Sequence, residues 1–309
     1  MNDNLTWKKL GLLYCPSVLN RHPKLLTHAA NPLPVLIGGD IYRIYFSGRD
    51  AKNRSSVGAV DIDIVKQKVI QEHREPFFEH GAIDSFYADG VSIGNCYEVD
   101  GVRYMLFMGW QAPEDGHWRG DIGRLIVKPD LSLELDGSVP FLSTDIVDSI
   151  SLSYPWVMPN EQGGYHMWYG STNTWDAGNG EMLHVINHAS SYDGHAWKRE
   201  GLSVPYELNT AQAFSRPTVI GSLELGYQMW FSYRSGTGEK YRIGYATNED
   251  GKHWQLELEK TGIDVSKEGW DSEMIEYPFV FDHKGKRYML HNGNGYGKTG
   301  FGLAVLENK

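Results

Sequence analysis

Five copies of one short pattern divide this chain, and a chain so divided has few folds open to it. The pattern is a tyrosine, an apolar residue two places on, and Gly or Ser five places on. It reads Tyr42-Arg-Ile-Tyr-Phe-Ser47, Tyr104-Met-Leu-Phe-Met-Gly109, Tyr165-His-Met-Trp-Tyr-Gly170, Tyr227-Gln-Met-Trp-Phe-Ser232 and Tyr288-Met-Leu-His-Asn-Gly293. The leading tyrosines stand 62, 61, 62 and 61 residues apart, and five such periods account for the 309 residues. So regular a period marks a repeat architecture, in which no unit buries its faces alone.

Each copy is rich in aromatic and branched apolar residues, which suits a strand. A Gly-led segment follows (Gly58-Ala-Val, Gly123-Arg-Leu, Gly244-Tyr-Ala, Gly302-Leu-Ala), and Asp-Gly-x-x-Trp closes two units, at Asp193 to Trp197 and Asp250 to Trp254. Asp-Gly between strand patterns signals a hairpin. Ahead of each tyrosine lies another short strand, opening at Pro32, Pro155, Pro217 or Pro278, and at Gly90 in the second copy. Four strands in each of five units predict an all-β chain, folded as a five-bladed β-propeller of four-stranded antiparallel blades. The last unit stops at Glu307 after its third strand, while Trp7-Lys-Lys-Leu-Gly-Leu12 matches Trp197-Lys-Arg-Glu-Gly-Leu202, the fourth strand of unit three. The N-terminal strand is therefore expected to complete the last blade and leave no unpaired edge. On this reading residues 1–309 are one domain, where length alone would give about two.

Composition excludes several classes of function. A net charge of −10 lacks the basic footprint of a nucleic-acid partner. No run of about 18 apolar residues and no charged-then-apolar leader is present, so neither a membrane span nor a secretory signal is expected. Cys15 and Cys96 read as two reduced thiols of a cytoplasmic protein. No Cys/His cluster has zinc spacing, so no metal is assigned and no cofactor is required. Oxygen ligands suit a calcium ion in the axial channel, but no spacing demands one. The Gly-rich segment 292–297 has no strand-then-helix context and is no nucleotide fingerprint.

Half of the connections look like tight turns. The others emerge together on one face and are long: 21–31 and 48–56, 78–89 and 109–121, 145–154 and 171–181, 207–216 and 233–240, 264–277 and 292–298. Long loops on a rigid scaffold concentrate binding and chemistry, which places the site on this face, over the central channel. The residues ahead of the repeated proline should converge there: Asn31, Asp89, Tyr154, Arg216 and Tyr277, preceded by Ala30, Ala88, Ser153, Ser215 and Glu276. Two carboxylates and an arginine at a channel mouth form a cluster that a core would not choose, because burying charge without a partner is costly.

The order of motifs resembles the five-bladed propeller carbohydrate enzymes: glycoside hydrolase families 43 and 32, and especially the mannoside phosphorylases and hydrolases of family 130. The resemblance covers the whole chain as architecture and rests on Asn31-Pro32, on Asp89 and on the segment 42–58, YRIYFSGRDAKNRSSVG. Families 43 and 32 carry Asp-Pro in the first blade and a Glu in the third. Here those places hold Asn31-Pro32 and Ser153-Tyr154-Pro155, and family 130 is the nearer pattern.

The resemblance implies an enzyme acting at an anomeric carbon of a saccharide or sugar phosphate, with Asp89 as the important acid. Glu276 or Glu273 is the candidate partner base. Phosphate or a phosphorylated sugar would be held by Arg49, Arg54, Arg216 and His28, since Arg suits bidentate anion recognition. Trp110, Trp118, Trp175 and Tyr296 suit stacking on sugar rings, and Asn31, Asp50 and Tyr154 join the substrate-binding set. Plainer readings stand beside these: Asp89 paired with Arg216, Glu273 capping its loop, and Arg49, Asp50 and Arg54 as a solvated hairpin tip. Loss of a first-blade carboxylate with gain of Arg216 favours phosphorolysis, or transfer from a phosphorylated donor. Hydrolysis by a carboxylate pair and a non-catalytic glycan-binding propeller are the alternatives.

Overall fold

The structure, a computed structural model, describes residues 4–16, 21–249 and 253–307; the Asp250-Gly251 turn lies outside them. Strand β1 (Trp7–Tyr14) is followed by β2 (Thr27–Gly38), β3 (Ile41–Arg49), β4 (Ser55–Asp63) and β5 (Lys68–Glu72). A second group is β6 (Gly90–Val99), β7 (Val102–Gln111), β8 (Arg119–Val127) and β9 (Leu133–Leu135), and a third is β10 (Leu152–Pro159), β11 (Tyr165–Thr174), β12 (Leu183–Ser191) and β13 (Lys198–Leu202). The fourth is β14 (Ser215–Ser222), β15 (Gly226–Tyr233), β16 (Arg242–Asn248) and β17 (Gln255–Leu256), and the fifth is β18 (Glu276–His283), β19 (Lys286–Asn292) and β20 (Phe301–Leu306).

The repeated tyrosine is among the first three residues of the second strand of each group, and the repeated glycine has a steric cause. Phe46 pairs with Gly58, Phe107 with Gly123 and Phe231 with Gly244. A Cβ on these glycines would lie 2.7, 2.1 and 2.6 Å from the facing ring, so the ring takes the space. In the third group Asn187 faces Tyr169, and both donate to the buried Asp148 carboxylate, at 2.7 and 2.8 Å. The pattern breaks there because hydrogen bonds replace ring packing.

The strands form three four-stranded antiparallel sheets and one of eight, and the eight divide into two groups of four at a single parallel bridge, Ser55 to Gly90. Strand β1 lies antiparallel on β20 and is the fourth strand of the fifth group, with Trp7 opposite Leu306 and Tyr14 opposite Phe301. First strands β2, β6, β10, β14 and β18 contact one another in that order, and β18 contacts β2. Side chains stitch one group to the next. Asn95 exchanges two hydrogen bonds with Val157 (2.7 and 2.9 Å), and Ser232 Oγ accepts from the Tyr277 amide at 2.7 Å. Large rings, among them Trp168, Trp230, Phe107 and Phe231, are wholly buried, at 0% exposure.

Candidate active site

Four of the five first strands lose register at the repeated proline: between Ala30 and Leu33, Ser153 and Trp156, Ser215 and Thr218, and Glu276 and Phe279. The extra residue is left-handed in each, with φ of 55° at Asn31, 35° at Tyr154, 49° at Arg216 and 52° at Tyr277. The proline has no N–H to withdraw from the ladder, and the bulge re-aims the residue ahead of it. A non-glycine residue held so costs roughly 1–3 kcal/mol, and four at the same place of the repeat make their surroundings a candidate site. In β6 the break falls between Ile93 and Cys96, so Gly94, not Asp89, takes the matching place. A Cβ there would stand 2.3 Å from the Pro155 carbonyl oxygen, which makes glycine obligatory.

The bulged residues Tyr154 and Tyr277 line a cavity of about 450 Å³, where the Tyr154 hydroxyl donates to that of Tyr277 at 3.2 Å. Arg49, Trp110, Trp118 and Tyr296 line it too, as do Arg234, Tyr241, His184, Ser92, Ser153 and Ser215. Arg234 lies over the Tyr241 ring, 4.8 Å from its centroid, and donates to Glu181 at 2.6 Å. Arg49 has no side-chain hydrogen bond or ion pair with the described residues. Glu276 is wholly buried beside these arginines, and neither carboxyl oxygen has a hydrogen-bond partner. Burial raises its carboxyl well above the usual range, against the pull of Arg49, Arg234 and Arg216. A buried unpaired carboxyl is a cost the fold would not carry for packing alone.

Other residues marked by the sequence stand apart from this cavity. Arg216 is 2% exposed and donates to the backbone carbonyls of Tyr277 (2.7 Å) and Pro32 (2.8 Å), so it ties three first strands together and is not paired with Asp89. Burial pulls its guanidinium down to about 9. Asn31 is buried, its amide N–H bonded to Asn292 Oδ1 at 2.9 Å. His28 is held down at about 4, by burial first and then by Arg49 and Lys298. Arg54 is bonded to Asp50, whose carboxylate also accepts the Lys52 and Arg54 amides and lies 3.7 Å from His80 Nε2. The Asp89 carboxylate accepts the Ala112 amide at 2.8 Å and lines a second cavity, of about 550 Å³, with Lys52, Arg54 and Arg119. Ala112 lines both cavities, so they adjoin. Glu273 is exposed and paired with Lys240, so it is not a partner to Glu276. Trp175 stacks on His117 with centroids 4.5 Å apart and meets Trp118 edge-on. Among the described residues no three His, Cys, Asp or Glu side chains are grouped to hold a metal ion.

Sequence reasoning missed Arg234, Tyr241 and His184. The repeat held the signal for one of them. Arg49 and Arg234 each stand seven places after their leading tyrosines, Tyr42 and Tyr227, and so occupy one position of the unit.

No protein-family model matches the chain. Over 306 residues it is 44% identical to the uncharacterized protein Rv1502 of Mycobacterium tuberculosis strain H37Rv, covering 98% of this chain and 100% of that one. The MT1551 protein of strain CDC 1551 matches to the same extent. Among solved structures, that of a BT0996 complex with RGII aligns over 99% of this chain and 93% of its own with a TM-score of 0.75 at 14% identity. A structure from GH130, the family of mannoside phosphorylases that contains hydrolases targeting β-1,2 mannosidic linkages in Candida mannan, gives 0.71 at 11%, covering 98% and 94%. A thermostable family-43 glycoside hydrolase gives 0.65 at 17%, covering 93% and 91%. The chain shares their fold.

Proposed function

We propose that this chain, which belongs to the same family as the Mycobacterium tuberculosis protein Rv1502, is a five-bladed propeller enzyme that makes or breaks a glycosidic bond with phosphate or a phosphorylated sugar as reactant. The five groups of strands are read as blades of one ring, supported by the circuit of first strands from β2 round to β18 and back. The fold shared with glycoside hydrolases and with the GH130 family supports a carbohydrate-active enzyme.

One observation carries the phosphate: Arg49 and Arg234 face a single cavity whose lining includes no carboxylate. Hydrolysis of a glycoside ordinarily takes two carboxyl groups flanking the bond. With one carboxyl behind the cavity and two guanidiniums in it, Arg234 shared with Glu181 and Arg49 unpaired among the described residues, the second reactant is read as an anion from solution. A phosphate oxygen attacks the anomeric carbon, the bond from that carbon to the leaving oxygen breaks, and the leaving oxygen takes a proton. Glu276 is the acid for that step, because burial keeps its proton on and its oxygens have no partner in the protein. The ligand must part the lining to reach it. Arg49 and Arg234 stabilise the charge on the phosphoryl group. Tyr154, Tyr277, Trp110 and Tyr296 offer ring faces to the sugar, and Asp89, in the adjoining cavity, faces the acceptor.

Turnover of aryl glycosides and of sugar 1-phosphates, with and without inorganic phosphate, tests this. Cleavage is expected to require phosphate, and Arg49→Met and Arg234→Met to raise the KM for phosphate about tenfold or more, the order expected of a charge-assisted contact. Cleavage at a rate indifferent to phosphate would make the enzyme a hydrolase instead.

A further inference from the structure

The third sheet supplies a polar chain that the reaction above does not use. Ser153 Oγ lies 2.6 Å from His184 Nε2, and His184 Nδ1 lies 2.7 Å from Thr172 Oγ1. All three residues are at most 2% exposed, and Ser153 and His184 line the cavity. The backbone makes room for the pair, since a Cβ on Gly170 would fall 2.1 Å from Ser153 Oγ and 2.4 Å from His184 Nε2. Thr172 stands seven places after Tyr165, the repeat position that holds Arg49 and Arg234 elsewhere.

We infer that Thr172 and His184 fix the Ser153 hydroxyl as a hydrogen-bond donor aimed at an unprotonated oxygen of the cavity's ligand. A neutral imidazole has one N–H and one acceptor nitrogen. With the proton on Nδ1, the ring would donate to Thr172, whose own hydroxyl proton has no other partner among the described residues. A buried donor left unmet costs about 1–3 kcal/mol. With the proton on Nε2, Thr172 donates to Nδ1, Nε2–H donates to Ser153 Oγ, and the Ser153 proton remains for the cavity. This arrangement satisfies every group except the one that faces the ligand. Burial first, and the nearby Arg234 second, push the imidazole down to about 3, so the chain stays neutral at pH 7. Beside Arg234 the oxygen that suits this donor is an anionic one, as on phosphate. Thr172 and His184 are positioning residues, and Ser153 is the one that touches ligand. The identity of the ligand rests on the function proposed above; the direction of the hydrogen bonds does not.

Two measurements separate these. Nitrogen-15 NMR of the intact protein's histidines at pH 7 reads the tautomer, with His184 identified by the resonance lost in His184→Gln, or by the one moved in Thr172→Val should the first variant not fold. A neutral ring protonated on Nε2 is expected, and an Nδ1–H tautomer or an imidazolium would overturn the inference. Calorimetry with inorganic phosphate is then run on the parent protein and on Ser153→Ala. The variant is expected to bind about tenfold more weakly, equivalent to about 1.4 kcal/mol; equal affinity overturns the donor role. If the parent protein binds no phosphate, the functional reading fails, and the tautomer alone decides this one.

Discussion

Glu276 is where the demands of folding and of chemistry diverge most sharply. Its folded carboxyl holds a proton more tightly than an unfolded one does, so its contribution to stability is greatest below the usual carboxyl range and is lost as pH rises through the folded value. Buried histidines act in the opposite sense: His28, His184 and His291 are pushed down to about 4, 3 and 4, and the unfolded chain takes protons that they refuse as pH falls below about 6.5. Glu276→Gln removes the first effect alone. Its urea midpoint should exceed the parent's at pH 8, and the gap should close as pH approaches 4.5, while turnover falls about 100-fold or more. Equal midpoints at pH 8, or unimpaired turnover, would take Glu276 out of the mechanism. Glu276 itself was legible from its place ahead of a repeated proline. Arg216, in the next position of its own unit, donates to two backbone carbonyls, and sequence does not show which carbonyls lie in reach of a buried guanidinium.

Strand β6 shows what a repeat hides when one copy drops its marker. The other first strands announce their bulge with a proline; β6 has Gly94-Asn95 there, and without the proline the sequence register slid to Asp89-Gly90. The replacement has a structural role of its own, because the Asn95 side chain both donates to the Val157 carbonyl and accepts its amide, bridging the second group of strands to the third. Asn95→Ala leaves a buried amide and carbonyl unmet and should lower the unfolding free energy by about 2–4 kcal/mol, read from the urea midpoint at constant slope. A loss below about 0.5 kcal/mol would mean that the junction between these sheets is held by packing alone.

At the scale of the whole molecule the question is whether five groups of strands behave as one body. The match between Trp7-Lys-Lys-Leu-Gly-Leu12 and the fourth strand of unit three made the pairing of β1 readable, but the anchors that hold it were not, since they come from distant loops and another group. Trp7 packs edge-on against Trp230 of β15, ring centroids 5.7 Å apart, its amide donates to the Gly262 carbonyl, and Lys9 pairs with the buried Asp271 at 2.7 Å. Strand β1 therefore touches the fourth group as well as completing the fifth. Truncating one anchor, Trp7→Ala, removes a large buried ring and should cost about 3–5 kcal/mol. If the ring is one cooperative unit, that loss must appear equally in every probe: tryptophan fluorescence, which samples several groups, and far-ultraviolet circular dichroism should shift together to a single lower urea midpoint. Should fluorescence and dichroism instead separate into two transitions, with only part of the signal sensitive to Trp7, the fourth and fifth groups unfold on their own. A single closed domain would then be the wrong description of the chain.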